Sequence, residues 1–593
     1  MKQLFFLMLV GLNLLARAQE LPVGFSQEEW DALMHGQVVV QSNDGRGIAT
    51  PPPNSNIRCM AEWEEIQCLT IAWISYPTIL KQIVANAKTQ TRVIILSEDV
   101  ASTEAYLLAS NAGGPALANL DNVTILNASF DSVWMRDYAA NPAYGNEVDS
   151  LVLVDWIYNR PTRPNDDASP EFIATELGIP LYEMTAAPQD LVNTGGNWMS
   201  DGFGTAFASD LILEENAVGN PYGVTAKTEQ AIDGILNDYL GIDRYIKMPT
   251  LPYDGIHHID MHMKLLDEET LLVGEYPEGI SDGPQINANI EYILSNFQSK
   301  WNSPYRIIRI PMPNSTGGNW PSNGASYRTY TNAVFVNKMV ILPLYRTQYD
   351  TTALRIWNEA LPGFEIVGID CDNSTDNIIA ASGAIHCITH SVGVEDPLLI
   401  SHQSLTDTDN TTNPYDVVAY MNHRSGVVQA KLYWKTTLNG SYNEVNMVSI
   451  GNNNWQGFIP AQPAGTRVYY YVEGIANSGK VQVRPIAAPQ GYWHFDVVDQ
   501  LVTVDEFVHV QTKVFPNPAT ELTCLRLQSS FTGKMQVKLL DVMGNEVMHL
   551  WNGDIAMGEK QIFFDVQDLP SGTYHLCITH KGGVQHQTLI VNQ

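Results

Sequence analysis

Between residues 58 and 403 the apolar positions change rhythm repeatedly. Residues 80–88 carry them at helical spacing, and Arg92-Val93-Ile94-Ile95-Leu96 follows as a short continuous apolar run. Leu151-Val152-Leu153-Val154 and Met339-Val340-Ile341-Leu342 are runs of the same kind. Helical stretches alternating with short buried strands predict an α/β domain over 58–403. After about Asn410 the helical spacing stops. Residues 427–434 and 466–473 alternate apolar and polar side chains, and Asn439-Gly440 and Asn477-Ser478-Gly479 supply turns. Short strands separated by such turns predict an all-β sandwich over 410–499. A second small β unit is expected over 508–593. Residues 19–57 are polar and close on Thr50-Pro51-Pro52-Pro53-Asn54, the pattern of a leader or linker.

One segment of the α/β region returns. Thr194-Gly195-Gly196-Asn197-Trp198-Met199-Ser200-Asp201-Gly202 is echoed by Thr316-Gly317-Gly318-Asn319-Trp320-Pro321-Ser322-Asn323-Gly324. Self-similarity at a long period suggests a repeat architecture such as a propeller. The paired glycines allow a tight turn or a close approach of the backbone to a ligand.

The ends and the charge narrow the possibilities. Met1-Lys2, an apolar run over 4–15 and Ala16-Arg17-Ala18 form a signal-peptide pattern, with cleavage expected after Ala18. No other stretch is long and apolar enough to span a bilayer. The 593 residues carry a formal net charge of −31, which argues against nucleic-acid backbones and anionic membranes as partners. The six cysteines are too few for a disulfide scaffold and include no CxxC pair. Cys59 with Cys68 and Cys524 with Cys577 are the candidate bridges.

Chemistry-bearing residues fall in three places. Cys387 lies in Gly383-Ala384-Ile385-His386-Cys387-Ile388-Thr389-His390, where a neighbouring cation would favour the thiolate. His257-His258-Ile259-Asp260-Met261-His262 places His258, Asp260 and His262 on one face if the segment is a strand. That face suits either a metal ion or a general acid/base with a substrate carboxylate. In Trp134-Met135-Arg136-Asp137-Tyr138, strand neighbours point apart, so Asp137 is available to a cation and the Trp134 indole can add cation–π attraction. A thiol and two aspartates match a guanidinium substrate, which carboxylates grip by paired, charge-assisted hydrogen bonds.

These segments, with Arg58-Cys59-Met60-Ala61-Glu62-Trp63-Glu64 and Tyr330-Thr331-Asn332, resemble the agmatine deiminase and Porphyromonas-type peptidylarginine deiminase family over 58–403. The resemblance implies the pentein fold, a five-bladed αβ propeller, here followed by an immunoglobulin-like domain and a further β domain. It implies Cys387 as nucleophile, His258 as general acid/base, Asp137 and Asp260 as guanidinium ligands and Asn332 as an orienting residue. It implies no metal or organic cofactor, and a covalent thiouronium intermediate. Tyr158-Asn159-Arg160-Pro161-Thr162-Arg163-Pro164 resembles the segment whose two arginines, Arg160 and Arg163, hold a substrate's terminal carboxylate, with Thr162 as an additional residue. Peptidyl arginine, preferably C-terminal, is therefore the expected substrate. Agmatine converted to N-carbamoylputrescine is the alternative, and a non-catalytic binding protein is a more distant one. Phe515-Pro516-Asn517-Pro518-Ala519, the Asp541–Gly544 turn and Leu569-Pro570-Ser571-Gly572-Thr573-Tyr574 resemble the C-terminal sorting domain of type IX secretion cargo, which implies the type IX machinery as a partner and a secreted or cell-surface protein.

Overall fold

The computed structural model describes residues 21–36, 47–53, 56–499, 510–529, 533–555, 558–580 and 583–592. The expected signal peptide, 1–18, lies outside the described residues. Two units emerge, residues 1–497 and 498–593.

In the first unit one arrangement recurs five times. Each time a strand leads through a helix to a parallel neighbour, and an antiparallel strand borders the first. Ile66–Ala72, helix Pro77–Ala87 and Arg92–Ser97 form one such unit. Ser150–Tyr158, Pro170–Leu177 and Leu181–Met184 form the second. The third joins Thr205–Ser209 to Arg244–Met248 through Glu229–Leu240. The fourth joins Thr270–Glu275 to Arg306–Pro311 through Gly283–Asn296, and the fifth joins Met339–Leu344 to Glu365–Asp370 through Thr347–Ala360. The first strand of each unit is buried almost throughout, because helices and neighbouring sheets cover it, whereas the outer partners Arg306–Pro311 and Glu365–Asp370 are mostly half-buried.

The helices follow from side-chain spacing and caps. In Glu229–Leu240, Ile232, Ile235, Leu236, Tyr239 and Leu240 are buried at helical intervals. Thr228 caps the start, its hydroxyl accepting from the Ala231 N–H at 3.2 Å. Gly241 ends the helix at φ +68°, and a Cβ there would meet the Ile57 carbonyl at 1.8 Å, so only glycine fits. Strand His390–Gly393 runs antiparallel to Ile66–Ala72, which brings the loop carrying Cys387 back to the beginning of the α/β region.

Strands from Leu399 to Val497 make two antiparallel sheets. Their facing residues, among them Val417, Met421, Leu432, Val468 and Tyr470, form a separate core. The predicted strands at 427–434 and 466–473 extend to Val427–Lys435 and Thr466–Ala476.

The second unit is also a pair of antiparallel sheets, built on Leu525, Leu527, Val537, Leu539, Leu576 and Ile578. Its motifs have local causes. Asp541 Oδ1 accepts from the N–H groups of Met543 and Asn545 at 2.8 and 2.9 Å, and Gly544 adopts φ +84° to close the turn. The Tyr574 hydroxyl donates to the Pro570 carbonyl at 2.8 Å.

Neither candidate disulfide is present. Cys59 and Cys68 lie on strands of different sheets, as do Cys524 and Cys577. Among the described residues no helix is long and apolar enough to cross a membrane.

Candidate active site

Five sequence-predicted residues converge in the α/β region. Cys387 follows the short turn Ile378–Ala381 and precedes the strand His390–Gly393. Asn332 fixes its surroundings. The Asn332 side-chain amide donates to Cys387 Sγ at 3.2 Å and to Asp260 Oδ2 at 3.0 Å, while its oxygen accepts from the His386 N–H at 3.0 Å. Asn332 is itself held by its neighbours. The Trp357 indole donates to the Tyr330 carbonyl at 3.1 Å, and the Thr331 hydroxyl donates to the Asp260 carbonyl at 3.0 Å.

Two local expectations are corrected. Residues 258–262 do not form a strand. Ile259–Met261 is a 3-10 turn, so His258, Asp260 and His262 do not share a face by alternation. Among the described residues no three His, Cys, Asp or Glu side chains group as metal ligands. Trp134-Met135-Arg136-Asp137-Tyr138 is not a strand either, because Met135–Tyr138 forms one helical turn. Arg136 and Asp137 still diverge. Arg136 Nη1 pairs with Glu62 Oε1 at 2.8 Å, while Asp137 turns toward His258, with Asp137 Oδ1 3.5 Å from His258 Nδ1.

The Gly195–Asn197 turn sets that second contact. The Gly196 N–H donates to Asp137 Oδ1 at 3.1 Å, and a Cβ on Gly196 would meet His258 Nδ1 at 2.3 Å. Glycine is needed here for close approach. The echo at Thr316-Gly317-Gly318-Asn319 is different: those four residues are exposed, and a Cβ on Gly318 would meet nothing within 4 Å.

A charged cluster braces the floor. His386 bridges two carboxylates, Nδ1 lying 2.6 Å from Asp260 Oδ2 and Nε2 2.6 Å from Glu62 Oε1. Lys264 and Arg136 complete the cage around Glu62. Glu62 is positioned by its own segment. Arg58 forms a two-pronged pair with Glu64 at 2.6 and 2.9 Å, and Glu64 accepts from the Ala61 N–H at 2.8 Å. Sequence reasoning assigned no role to Glu62 or Lys264, whereas the close approach expected of the paired glycines is met at Gly196. The signal was the segment Arg58–Glu64 itself, where a carboxylate sits between two residues of a local ion pair.

Electrostatics differ from the sequence expectation in one respect. Flanking histidines were expected to favour the Cys387 thiolate. Burial, followed by the charges of Asp260 and Asp137, instead pushes the thiol well up. The side chain of His386 is committed to Asp260 and Glu62, and burial holds His390 neutral. Burial, with the nearby Asp260 charge, raises Asp137 to about 7. Burial lowers His258 to about 3 against the opposing pull of Asp260. Cys371 is also pushed up, by burial and by Asp370 and Asp372.

Asp137 Oδ2 and Asp260 Oδ1 are buried and have no hydrogen-bond partner, and neither does either ring nitrogen of His258. Buried acceptors of this kind are costly unless a donor meets them. One acceptor on each of two carboxylates suits a planar cation with several N–H donors.

The remaining predicted residues lie at one side. Trp134 is fully buried, and its indole N–H donates to the Leu21 carbonyl at 2.9 Å. Arg160 Nε donates to the Val23 carbonyl at 3.1 Å. Arg163 is fully buried and paired to Glu29, Nε to Oε1 at 2.7 Å and Nη2 to Oε2 at 2.9 Å. A cavity of about 480 Å³ borders Arg160.

Residues 58–392 match the Porphyromonas-type peptidyl-arginine deiminase family, and residues 513–592 match the secretion system C-terminal sorting domain. The agmatine deiminase of Pseudomonas syringae pv. tomato is 23% identical over 376 residues, covering 58% of this chain and 97% of the relative. The solved agmatine deiminase of C. jejuni aligns at 19% identity with a TM-score of 0.46, covering 57% of this chain and 96% of that one. The agmatine deiminase of Enterococcus faecalis aligns at 17% identity with a TM-score of 0.47, covering 58% and 99%.

Proposed function

Because the chain belongs to the Porphyromonas-type peptidyl-arginine deiminase family and is a hydrolase of guanidino C–N bonds, we propose that it converts peptidyl arginine, preferably C-terminal, to citrulline and ammonia. The observation that carries the reading is the pair of unpartnered buried acceptors, Asp137 Oδ2 and Asp260 Oδ1, beside the Cys387 thiol.

A guanidinium held between those carboxylates brings a positive charge to a thiol that burial and two anions keep protonated. It thereby stabilises the thiolate that its own central carbon receives. Attack forms the C–S bond. The C–N bond then breaks, and His258 returns to the departing ammonia the proton that the thiol gave up. The product of this step is a thiouronium on Cys387. His258, neutral again, takes a proton from water, whose oxygen attacks the same carbon; the adduct releases the ureido product and the thiol, and the proton left on His258 passes to solvent, where the released ammonia takes it up. Asn332 holds the sulfur and Asp260 in register through its two donations at 3.2 and 3.0 Å. Every step uses side chains and water, and no cofactor enters.

Arg160 and Arg163 favour a substrate with a carboxylate, because a guanidinium fork matches carboxylate geometry. Agmatine, which lacks that group, is the second reading, supported by the likeness to the Pseudomonas syringae agmatine deiminase. The five recurring strand–helix–strand units support a five-bladed propeller over 58–403. Residues 410–499 are read as an immunoglobulin-like domain, and 508–593 as a type IX sorting domain that directs the protein to the cell surface or beyond.

The test compares ammonia and ureido-product release from agmatine, free arginine and C-terminal arginyl peptides. Iodoacetamide and the substitution Cys387→Ser should abolish turnover, and exhaustive EDTA should leave it intact. Retained activity in Cys387→Ser would refute the mechanism. Agmatine outcompeting every peptide would transfer the assignment to the second reading.

A further inference from the structure

The segment just after the expected signal peptide lies across this site. Residues 21–25 run beside Trp134, Arg160 and Arg163, and the helix Gln27–Met34 continues from them. Val23 is fully buried against the nucleophile loop: its N–H donates to the Ala381 carbonyl at 3.0 Å, and a Cβ on Gly383 would meet Val23 Cγ2 at 2.7 Å. The Phe25 ring stacks on Arg160, with Cζ 4.4 Å from the ring centroid. The carbonyls of Pro22 and Gly24 each accept from Arg163 Nη2 at 2.9 Å.

Glu29 makes the most telling contact. Its carboxylate takes the two-pronged pair with Arg163, and the Thr162 hydroxyl donates to Oε1 at 2.9 Å. Glu29 also accepts from the Ser26 N–H at 2.8 Å, closing the capping box that starts the helix. Burial opposes the charge on Glu29, but Arg163, Ser26 and Thr162 outweigh it and hold its carboxyl at about 2. To Arg160 and Arg163 the segment therefore offers peptide carbonyls and a carboxylate, the groups that a peptide's C terminus would offer. With it in position Cys387, His258, Asp137 and Asn332 are each 0% exposed.

We propose that residues 21–36 are an intramolecular strap that occupies the carboxylate subsite through Glu29, so that peptide substrates reach Cys387 only after the strap is displaced or removed. The proposal rests on the reading of Arg160 and Arg163 as carboxylate ligands, and it adds a control on that site. Thr162, the additional residue between the arginines, belongs to the strap's anchorage.

Three chains decide it: residues 19–593, the same chain lacking 19–46, and the full chain with Glu29→Gln. Two readouts are taken on each, namely the rate of Cys387 alkylation by iodoacetamide, followed by peptide mass, and kcat/KM for a C-terminal arginyl dipeptide. Deletion should raise both at least tenfold, and Glu29→Gln should raise both to an intermediate degree. Equal alkylation rates in all three chains would overturn the strap. If the deletion fails to fold, Glu29→Gln alone decides, and an unchanged alkylation rate overturns the proposal. If alkylation accelerates but no chain turns over any guanidino compound, the strap stands as a cover and the deiminase reading falls.

Discussion

Nδ1 of His258 lies 3.5 Å from Oδ1 of Asp137, and both side chains are fully buried. Their titrations are displaced in opposite directions. Burial and the Asp260 charge raise Asp137 to about 7, and burial lowers His258 to about 3. Near neutral pH the histidine is therefore neutral, and the carboxyl is divided between its two forms.

A pH dependence follows for substrate capture. Below about 7 Asp137 is mostly protonated and cannot pair with a guanidinium. kcat/KM should rise about tenfold per pH unit up to that point and level off above it. Agmatine binding to the Cys387→Ser chain should release protons at pH 6 and almost none at pH 8.5, measured by calorimetry in two buffers of different ionisation enthalpy. For folding the sign is reversed. Between 3.8 and about 7 the folded protein holds a proton on Asp137 that the unfolded chain has lost, so this group reduces stability as pH rises through that window.

C-terminal arginine should be preferred over the same residue amidated. Removing one partner of a buried charge pair costs about 2–5 kcal/mol, so amidation should reduce kcat/KM by well over tenfold. In the chain lacking 19–46, where the strap no longer occupies Arg163, Arg160→Ala should erase the difference between acid and amide and leave agmatine turnover largely unchanged. The measurement is a matched pair of dipeptides assayed for citrulline.

The two Gly-Gly-Asn segments should respond differently to the same substitution. Gly196→Ala forces a methyl to within 2.3 Å of His258 Nδ1 and 2.8 Å of Asp137 Oδ1, and should abolish turnover. Gly318→Ala meets no atom within 4 Å but adopts φ +80°. It should cost about 1 kcal/mol of stability and keep the catalytic residues in place. Activity and urea midpoints of the two variants test this directly.

Glu62→Gln should be damaging although Glu62 is not itself a guanidinium ligand. The carboxylate answers Arg136, Lys264 and His386, the last of which holds Asp260. Leaving buried cations without their anion costs about 3 kcal/mol or more. Both the urea midpoint and kcat should fall, kcat by at least tenfold, because Asp260 loses the support of His386.

Ending the chain after Val498 should leave chemistry intact. All five converging site residues lie in the first unit, and the second has its own core. The shortened chain should match the full one in kcat and lose export. A folded but inactive product would show that the second unit contributes to the site.

Sequence alone determined the alternation of helices and strands, because burial periodicity is a local property. It also determined the residue types, since a thiol, a histidine and two aspartates declare their chemistry wherever they fold. It did not determine local geometry at the site: residues 134–138 and 258–262 are turns, where tertiary packing overrides strand-like spacing. It marked Glu62 only as part of a motif, because its partners Arg136, Lys264 and His386 lie 74, 202 and 324 positions away in sequence. The direction of the Cys387 shift was likewise hidden, because burial and the approach of two distant carboxylates outweigh the adjacent histidines. The polar residues after position 19 suggested only a leader. The fold alone decided that Glu29 meets Arg163, since a buried guanidinium takes whichever carboxylate the chain path brings within reach.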